Sequence, residues 1–370
     1  MREIKQKHLA VFVSFSGMGG VEKMVCNLCR GLVDLGHRVD LVLVKAESDH
    51  LVGLPDEVNV VKLKARHTMS SLFALTSYIR KARPDALLAA KDRAGQVAVL
   101  ARVLAGGQPE KLLIRIGTTP SAALAGKSWL QRTARFLPMR MFYRFADGIV
   151  GISDGVADDL CRITGLSRGF FHTIYNPTVP ANLASQAGEP CPHPWFGDGG
   201  EPVVLGVGRL TRQKDFPTLL RAFAILEQQR ACRLVILGEG GDRKKLEALR
   251  DELGLNAKVD LPGFVDNPYA YMARADLFVL SSAWEGFGNV LVEALAVGTP
   301  VVATDCPNGP REILQGGQVA PLVPVGDVNA LATAMNHVLE APPDPKSLQL
   351  AVQSFTVEES SRQYADLLLK

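Results

Sequence analysis

Short apolar runs alternate with longer amphipathic stretches along the 370-residue chain. LAVFVSF (9–15) has the pattern of a buried strand, GVEKMVCNLCRGLVDLG (20–36) repeats apolar residues at helical spacing, and HRVDLVLV (37–44) is again a strand. ALLAA (86–90), KLLIRI (111–116) and GIVGIS (148–153) continue the series. These runs are apolar almost throughout. That is what a parallel sheet needs when helices cover both of its faces. The stretch 176–202 is rich in Pro, Gly and small residues and has no period, so a linker is predicted within it, at 179–200. The alternation then restarts. PVVLGVG (202–208), RLVILG (233–238), VDLPGF (259–264), DLFVLS (276–281) and PVVATD (300–305) predict strands. FPTLLRAFAILEQQ (216–229), DRKKLEALRDELG (242–254) and NVLVEALAVG (289–298) predict helices between them. The expectation is an α/β chain of two doubly wound, Rossmann-like domains, 1–178 and 201–356, with a last helix from 357 to 370.

The opening MREIKQKHLAVFVSF places basic residues before an apolar run, as a secretory leader does. The run is short and ends in a Gly-rich turn before an amphipathic helix, so a first strand is predicted instead. No apolar segment has the length to span a bilayer. Charge is uneven. Residues 1–180 carry 25 Lys and Arg against 15 Asp and Glu, an excess of ten positive charges; residues 181–370 carry 16 against 23, an excess of seven negative ones. A basic half joined to an acidic half implies that the first half meets an anionic surface or ligand. Six cysteines are scattered. Cys26 and Cys29 form a CxxC inside a helical pattern, with no second ligand pair at zinc-like spacing, which predicts packing and a reducing, cytoplasmic setting.

Ligands of open α/β sheets bind at the carboxyl ends of the strands, so the loops there carry the candidate chemistry. SGMGG (16–20) is a turn before a helix whose glycines let backbone amides approach an anion. It lacks the full G-x-G-x-x-G pattern, and no acidic residue closes the second strand where a dinucleotide ribose needs one; Asp40 enters that strand and Glu47 follows it. GRLTRQKDF (208–216) carries Arg209, Arg212 and Lys214, cations suited to a diphosphate. WEGFGNVLVEAL (284–295) sets Glu285 in a loop and Glu293 in the second turn of a helix that starts near Gly288. The amides of Asn289 and Val290 at that start suit a phosphate. Carboxylates beside a phosphate need other donors, and sugar hydroxyls are the natural ones, so the arrangement suits a nucleotide-sugar. CPNGPREI (306–313) adds a rigid turn beside this loop.

GRLTRQKDFPTLLRAF, LVILGEGG and ADLFVLSSAWEGFGNVLVEALAVGTPVVATDCPNGPREIL together resemble the C-terminal domain of the retaining GT-B glycosyltransferases of family four, whose two-glutamate motif is represented by Glu285 and Glu293. GMGGVEKM, GIVGISDGVADDL and IYNP extend the resemblance over nearly the whole chain. It implies a GT-B fold of two domains facing across a cleft, with the final helix crossing back to the first. It implies that Arg209 and Lys214 bind the donor diphosphate, that Glu293 holds the ribose, and that Glu285, with the backbone at Phe287, Gly288 and Asn289, faces sugar and phosphate. Gly19 and Gly20 would approach the diphosphate from the other domain, and Phe264 would lie at the base. Many members carry a histidine on the acceptor side. Here the strand end reads LLIRIGTTP, leaving Arg115, Thr118, Lys91 and Asp92 as acceptor-side candidates and no assigned general base. A front-face reaction, in which the leaving phosphate takes the acceptor proton, needs none.

The implied activity is transfer of a sugar, from a UDP-sugar in preference to a GDP- or ADP-sugar, to a glycan or lipid-linked glycan in cell-surface polysaccharide synthesis, without a metal or other cofactor. Residues 111–146 contain no Asp or Glu and hold seven Lys and Arg interleaved with aromatics. This predicts contact of residues 127–144 with an anionic membrane, on the inner face of the cytoplasmic membrane. No recognition motif for nucleic acid accompanies the charge. A nucleotide-sugar epimerase, an NAD-dependent oxidoreductase and a non-catalytic sugar-nucleotide binder are the competing readings.

Overall fold

The apolar runs become parallel strands and the amphipathic stretches become the helices that cover them, in a computed structural model describing residues 6–15, 20–45, 51, 53–197 and 200–370. In chain order the first part holds β1 (His8–Val13), α1 (Gly20–Asp34), β2 (Arg38–Leu43), β3 (Val58–Lys62), α2 (Leu72–Ala82), β4 (Ala86–Ala89), α3 (Asp92–Leu104), β5 (Lys111–Ile116), α4 (Pro120–Ala123), α5 (Trp129–Phe142), β6 (Gly148–Gly151), α6 (Asp154–Thr164) and β7 (Phe171–Thr173). The second part runs through α7 (Leu183–Gly188), β8 (Val203–Val207), α8 (Phe216–Gln229), β9 (Arg233–Leu237), α9 (Arg243–Glu252), β10 (Val259–Gly263), α10 (Pro268–Met272) and β11 (Leu277–Leu280). It continues through α11 (Asn289–Ala296), β12 (Val301–Thr304), α12 (Pro310–Ile313), β13 (Leu322–Val323), α13 (Val328–Glu340) and α14 (Pro345–Ala351); α15 (Val357–Leu369) ends the chain.

Two units result, one of residues 1–178 with 355–370, the other of residues 179–354. The first contains a seven-stranded sheet in the order β3-β2-β1-β4-β5-β6-β7, and its pairs are parallel. β1 is central, with Val11 beside Leu41 of β2 and Leu88 of β4. The strand order reverses between β1 and β4, so the connections after them leave on opposite faces and open a crevice at their carboxyl ends. α15 lies against α1 and adds Tyr364, Ala365 and Leu368 to the core of this unit. Its start is fixed by Thr356, whose hydroxyl accepts from Glu359 N.

The second unit contains a six-stranded parallel sheet, β10-β9-β8-β11-β12-β13, with its reversal between β8 and β11. Its core joins Val204, Leu234 and Val279 of the sheet to Leu219, Phe223 and Met335 of α8 and α13. Both sheets agree with the doubly wound expectation. The runs singled out in the sequence omit β3, β7 and β13. β3 is a sheet edge with half-exposed positions, and β7 and β13 have three and two residues. The Pro- and Gly-rich stretch 179–200 carries structure of its own within the second unit. Asn267 Nδ2 donates to Gln186 O of α7 at 2.8 Å, His193 Nε2 stands 3.0 Å from Asp260 Oδ2, and Phe196 is buried against Tyr271. Side-chain anchoring of this kind has no periodicity to read.

Candidate active site

At the reversal point of the second unit, the loops after β8, β11 and β12 are knitted into one structure. Ala283 N donates to Gln213 O at 2.8 Å, Gln213 Nε2 to Trp284 O at 3.0 Å, and Ser281 Oγ to Lys214 O at 2.9 Å. Thr304, at the end of β12, donates to Ser282 O at 2.6 Å. The third loop closes on the second at Gly309. A Cβ there would stand 1.9 Å from Phe287 O, and its φ of +79° lies in the left-handed region, so only glycine fits.

This scaffold holds an ion pair. Lys214 Nζ lies 2.6 Å from Glu285 Oε1, with side chains 14% and 8% exposed. The same carboxylate accepts from Ser282 Oγ at 2.7 Å and from Gln213 Nε2 at 3.4 Å. A nearly dry pair survives only with such extra donors, because desolvation of both charges opposes it. Burial, with Glu285 nearby, pushes the Cys306 thiol up to about 12, which leaves it protonated and inert. Gly288, at φ +104°, turns the chain into α11, and its backbone carbonyl already accepts from Leu291 N. The helix therefore begins at Asn289, as its spacing predicts, with its dipole end at the carboxyl edge of β11. Phe287 is buried, so its side chain packs in the core and only its backbone belongs to the loop's polar face.

Glu293, 5% exposed, projects from the second turn of α11 and accepts from the Tyr269 hydroxyl at 3.1 Å. Tyr269 is positioned by Asn267, whose side chain caps α10. Burial, and then the Glu293 charge, push the Tyr269 hydroxyl well above the usual phenol range, so it stays a donor. Arg209 is exposed and makes no ion pair with the described residues, and Phe264 is half exposed immediately after β10. Sequence reasoning missed Gln213, Ser282 and Tyr269. Ser282 lies three residues before Glu285, which is the one signal available for it.

In the first unit, Gly19 lies outside the described residues and Gly20 opens α1 as an exposed residue. Asp40, the acid that enters the second strand, is buried inside β2 and accepts from Tyr78 OH at 2.7 Å and Asn59 Nδ2 at 3.1 Å, with His8 Nε2 at 2.9 Å. It is committed to packing; Glu47 is outside the described residues. The four acceptor-side candidates come together. Lys91, Asp92, Arg115 and Thr118 all line one hollow of about 520 Å³ at the carboxyl ends of β1, β4 and β5. Lys91 Nζ donates to Ser14 O at 2.8 Å and lies 3.4 Å from Glu22 Oε1. Asp92 accepts from Tyr143 OH at 2.9 Å and Gln96 Nε2 at 3.0 Å, and Arg135 of α5 stands 3.0 Å away. These contacts tie Asp92 to α5.

The basic stripe is less uniform than its sequence. Arg115 is buried in β5, Arg135 is tied to Asp92, and Arg140 Nε donates to Ile163 O at 2.5 Å. Arg132, Arg140 and Arg144 are exposed, beside exposed Trp129, Leu130, Leu137, Met141 and Phe145. Among the described residues, no helix is long and apolar enough to cross a membrane, and no group of three His, Cys, Asp or Glu is disposed to hold a metal.

Comparison with known proteins follows the two units. Residues 194–353 match the family of glycosyl transferases group 1, and residues 19–177 match the glycosyl transferase 4-like domain. The chain is 30% identical over 350 residues to N-acetylgalactosamine-N,N'-diacetylbacillosaminyl-diphospho-undecaprenol 4-alpha-N-acetylgalactosaminyltransferase of Campylobacter jejuni, covering 90% of each. It is 36% identical over 138 residues to the lipopolysaccharide core biosynthesis glycosyltransferase LpsE of Rhizobium meliloti, covering 37% of this chain and 39% of that protein. The crystal structure of Anabaena HepE in complex with UDP-glucose superposes with a TM-score of 0.81 at 21% identity, over 98% of this chain and 100% of that one. The knitted loops and their glutamates thus sit in a shared architecture, and the chain belongs to the family-four type of GT-B glycosyltransferases.

Proposed function

We propose that this glycosyltransferase moves a sugar from a nucleotide-diphosphate sugar, a UDP-sugar in the first instance, to a glycan or lipid-linked glycan, with retention of configuration and no metal. The observation that carries the donor reading is the buried Lys214–Glu285 pair beside the start of α11. In this reading the donor diphosphate takes over Lys214 as counter-charge and meets Arg209 and the amides of Asn289 and Val290. Glu285, held by Ser282 and Gln213, then receives hydroxyls of the transferred sugar. Glu293 accepts from the ribose, and Phe264 and Gly263 flank the base. The bond from the sugar's anomeric carbon to the diphosphate breaks. The acceptor oxygen bonds to that carbon on the same face, and its proton passes to the departing phosphate oxygen. Charge grows on the diphosphate as the bond breaks, so Lys214, Arg209 and the helix start act most strongly in the transition state.

A lipid-linked acceptor is supported by the undecaprenol-linked substrate in the name of the Campylobacter relative and by α5, which exposes apolar side chains next to Arg132 and Arg144. In this reading α5 rests on an anionic leaflet, at the inner face of the cytoplasmic membrane. The test of the function is product analysis. The purified chain, given UDP-sugars and a polyprenyl-diphosphate-linked glycan, is expected to release UDP and to extend the glycan by one α-linked sugar. A donor sugar returned as its epimer, with no new glycosidic bond, would sink the transferase reading in favour of an epimerase.

A further inference from the structure

Arg115 is a buried cation without a counter-charge. Its side chain is among the largest that are fully buried, at 2% exposure. Its Nη2 donates to the neutral Asn176 Oδ1 at 2.6 Å. Its Nε finds no partner among the described residues, and its other polar neighbour, the Tyr364 hydroxyl of α15, is kept neutral by burial. No carboxylate of the described residues pairs with it, although guanidinium stays charged in proteins and burying an unpaired charge is costly. Nη1 faces Gly117, where a Cβ would approach to 2.7 Å, and both residues line the hollow of about 520 Å³.

The rest of the lining repeats the imbalance. Lys91, Arg93, Arg115 and Arg135 are four cations in the lining; its one carboxylate, Asp92, is engaged by Tyr143, Gln96 and Arg135, and Glu22 behind the lining stands 3.4 Å from Lys91, so Arg93 and Arg115 are left without a paired carboxylate among the described residues. Ile116, Leu124 and Met139 add an apolar wall. The volume exceeds what a lone phosphate fills, and an apolar wall beside a cationic floor suits a sugar ring attached to the anion.

We propose that the hollow binds a phosphoryl group carried next to a sugar, with Arg115 as the buried cation that this group neutralises. This deepens the acceptor reading of the first unit and rests on it: the acceptor brings a sugar with its phosphate or diphosphate into the hollow. Two sources share this chemistry, a lipid-linked sugar diphosphate and a free sugar phosphate.

The experiment is calorimetry and thermal shift on the full chain saturated with UDP, which keeps the added anion off Lys214. The probes are inorganic pyrophosphate, a hexose 6-phosphate and a short-chain prenyl-diphosphate-linked sugar, each against wild type and Arg115→Met. Wild type should bind pyrophosphate and at least one of the sugar probes, and Arg115→Met should lose roughly tenfold or more of that affinity. Ligand-free Arg115→Met should melt no lower than wild type, because an unpaired buried charge has been removed. Preference for the prenyl-linked probe names the lipid source; preference for the hexose phosphate names the soluble one. Equal affinity of wild type and variant for all three probes overturns the proposal. A ligand-free variant that melts far below wild type, or does not fold, overturns the part assigned to Arg115 and makes it a structural residue; Arg93→Gln at the rim then tests whether the hollow binds the anion, and equal affinity there overturns the rest. UDP affinity unchanged in Arg115→Met, together with lost anion affinity, separates this site from the donor site. Absence of any transfer product would overturn the acceptor reading while leaving the anion measurement intact.

Discussion

The donor-side loops of the second unit and the hollow of the first unit occupy equivalent places, each at the carboxyl ends of strands where the sheet order reverses, yet they treat charge in opposite ways. Lys214 is met by Glu285, Ser282 and Gln213 support that carboxylate, and three loops are tied together around it. Arg115 is more deeply buried but meets only neutral groups, the Asn176 amide and the Tyr364 hydroxyl. A compensated pair holds its geometry before a ligand arrives and exchanges one partner when it does. An uncompensated cation leaves part of its stabilisation to be supplied by the ligand itself. The difference suits a donor of fixed diphosphate chemistry on one side and selection among acceptors on the other.

The largest effect should come from the compensated side. Lys214→Ala removes the cation that meets the growing charge, and kcat should fall by about 2–4 kcal/mol in transition-state stabilisation. Steady-state kinetics at saturating acceptor would measure this, and wild-type turnover would move Lys214 out of the chemistry. Next is the scaffold. Gly309→Ala forces a Cβ into the Phe287 carbonyl at a positive φ, and chemical denaturation should show a loss of about 2–3 kcal/mol. An undisturbed midpoint would mean that the three loops are not one unit. Smaller still, Tyr269→Phe removes the donor to Glu293 and should weaken UDP by about 1 kcal/mol with kcat little changed. A fall in kcat without loss of UDP affinity would place Glu293 at the transferred sugar instead of the ribose. The smallest effects belong to α5 and the turn that follows it. Arg132→Gln and Arg144→Gln should each reduce binding to anionic vesicles by roughly 1 kcal/mol at low salt, and by less as salt rises. Equal sedimentation of the double variant and wild type would make α5 an ordinary solvated face.

The same contrast explains what the sequence made legible. The doubly wound plan could be read because buried parallel strands are continuous apolar runs, and the start of α11 because Gly288 and the spacing after it mark it. Glu285 and Glu293 stood out as acids in apolar surroundings, and the most specific of the resembling motifs lie in the second unit. Ser282, Gln213 and Tyr269 were not visible, since their roles depend on contacts between loops brought together only by the sheet. In the first unit no motif marks the hollow. Lys91, Asp92, Arg115 and Thr118 were candidates from two separate segments, and only the fold gathers them and shows Asp92 engaged and Arg115 uncompensated. The basic stripe misled in part, because composition does not separate Arg115, which is buried, and Arg135, which is tied to Asp92, from Arg132, Arg140 and Arg144 at the surface.

In the proposed reading Lys214 of the second unit grips the outer phosphate of a nucleoside diphosphate. Calorimetric titration of UDP and UMP into wild type and Lys214→Ala decides whether it does. The two nucleotides share base, ribose and first phosphate, so their difference in affinity isolates the second phosphate. The account predicts that wild type prefers UDP to UMP by roughly tenfold or more and that Lys214→Ala loses most of this preference while binding UMP about as well. A preference that persists undiminished in Lys214→Ala would contradict it.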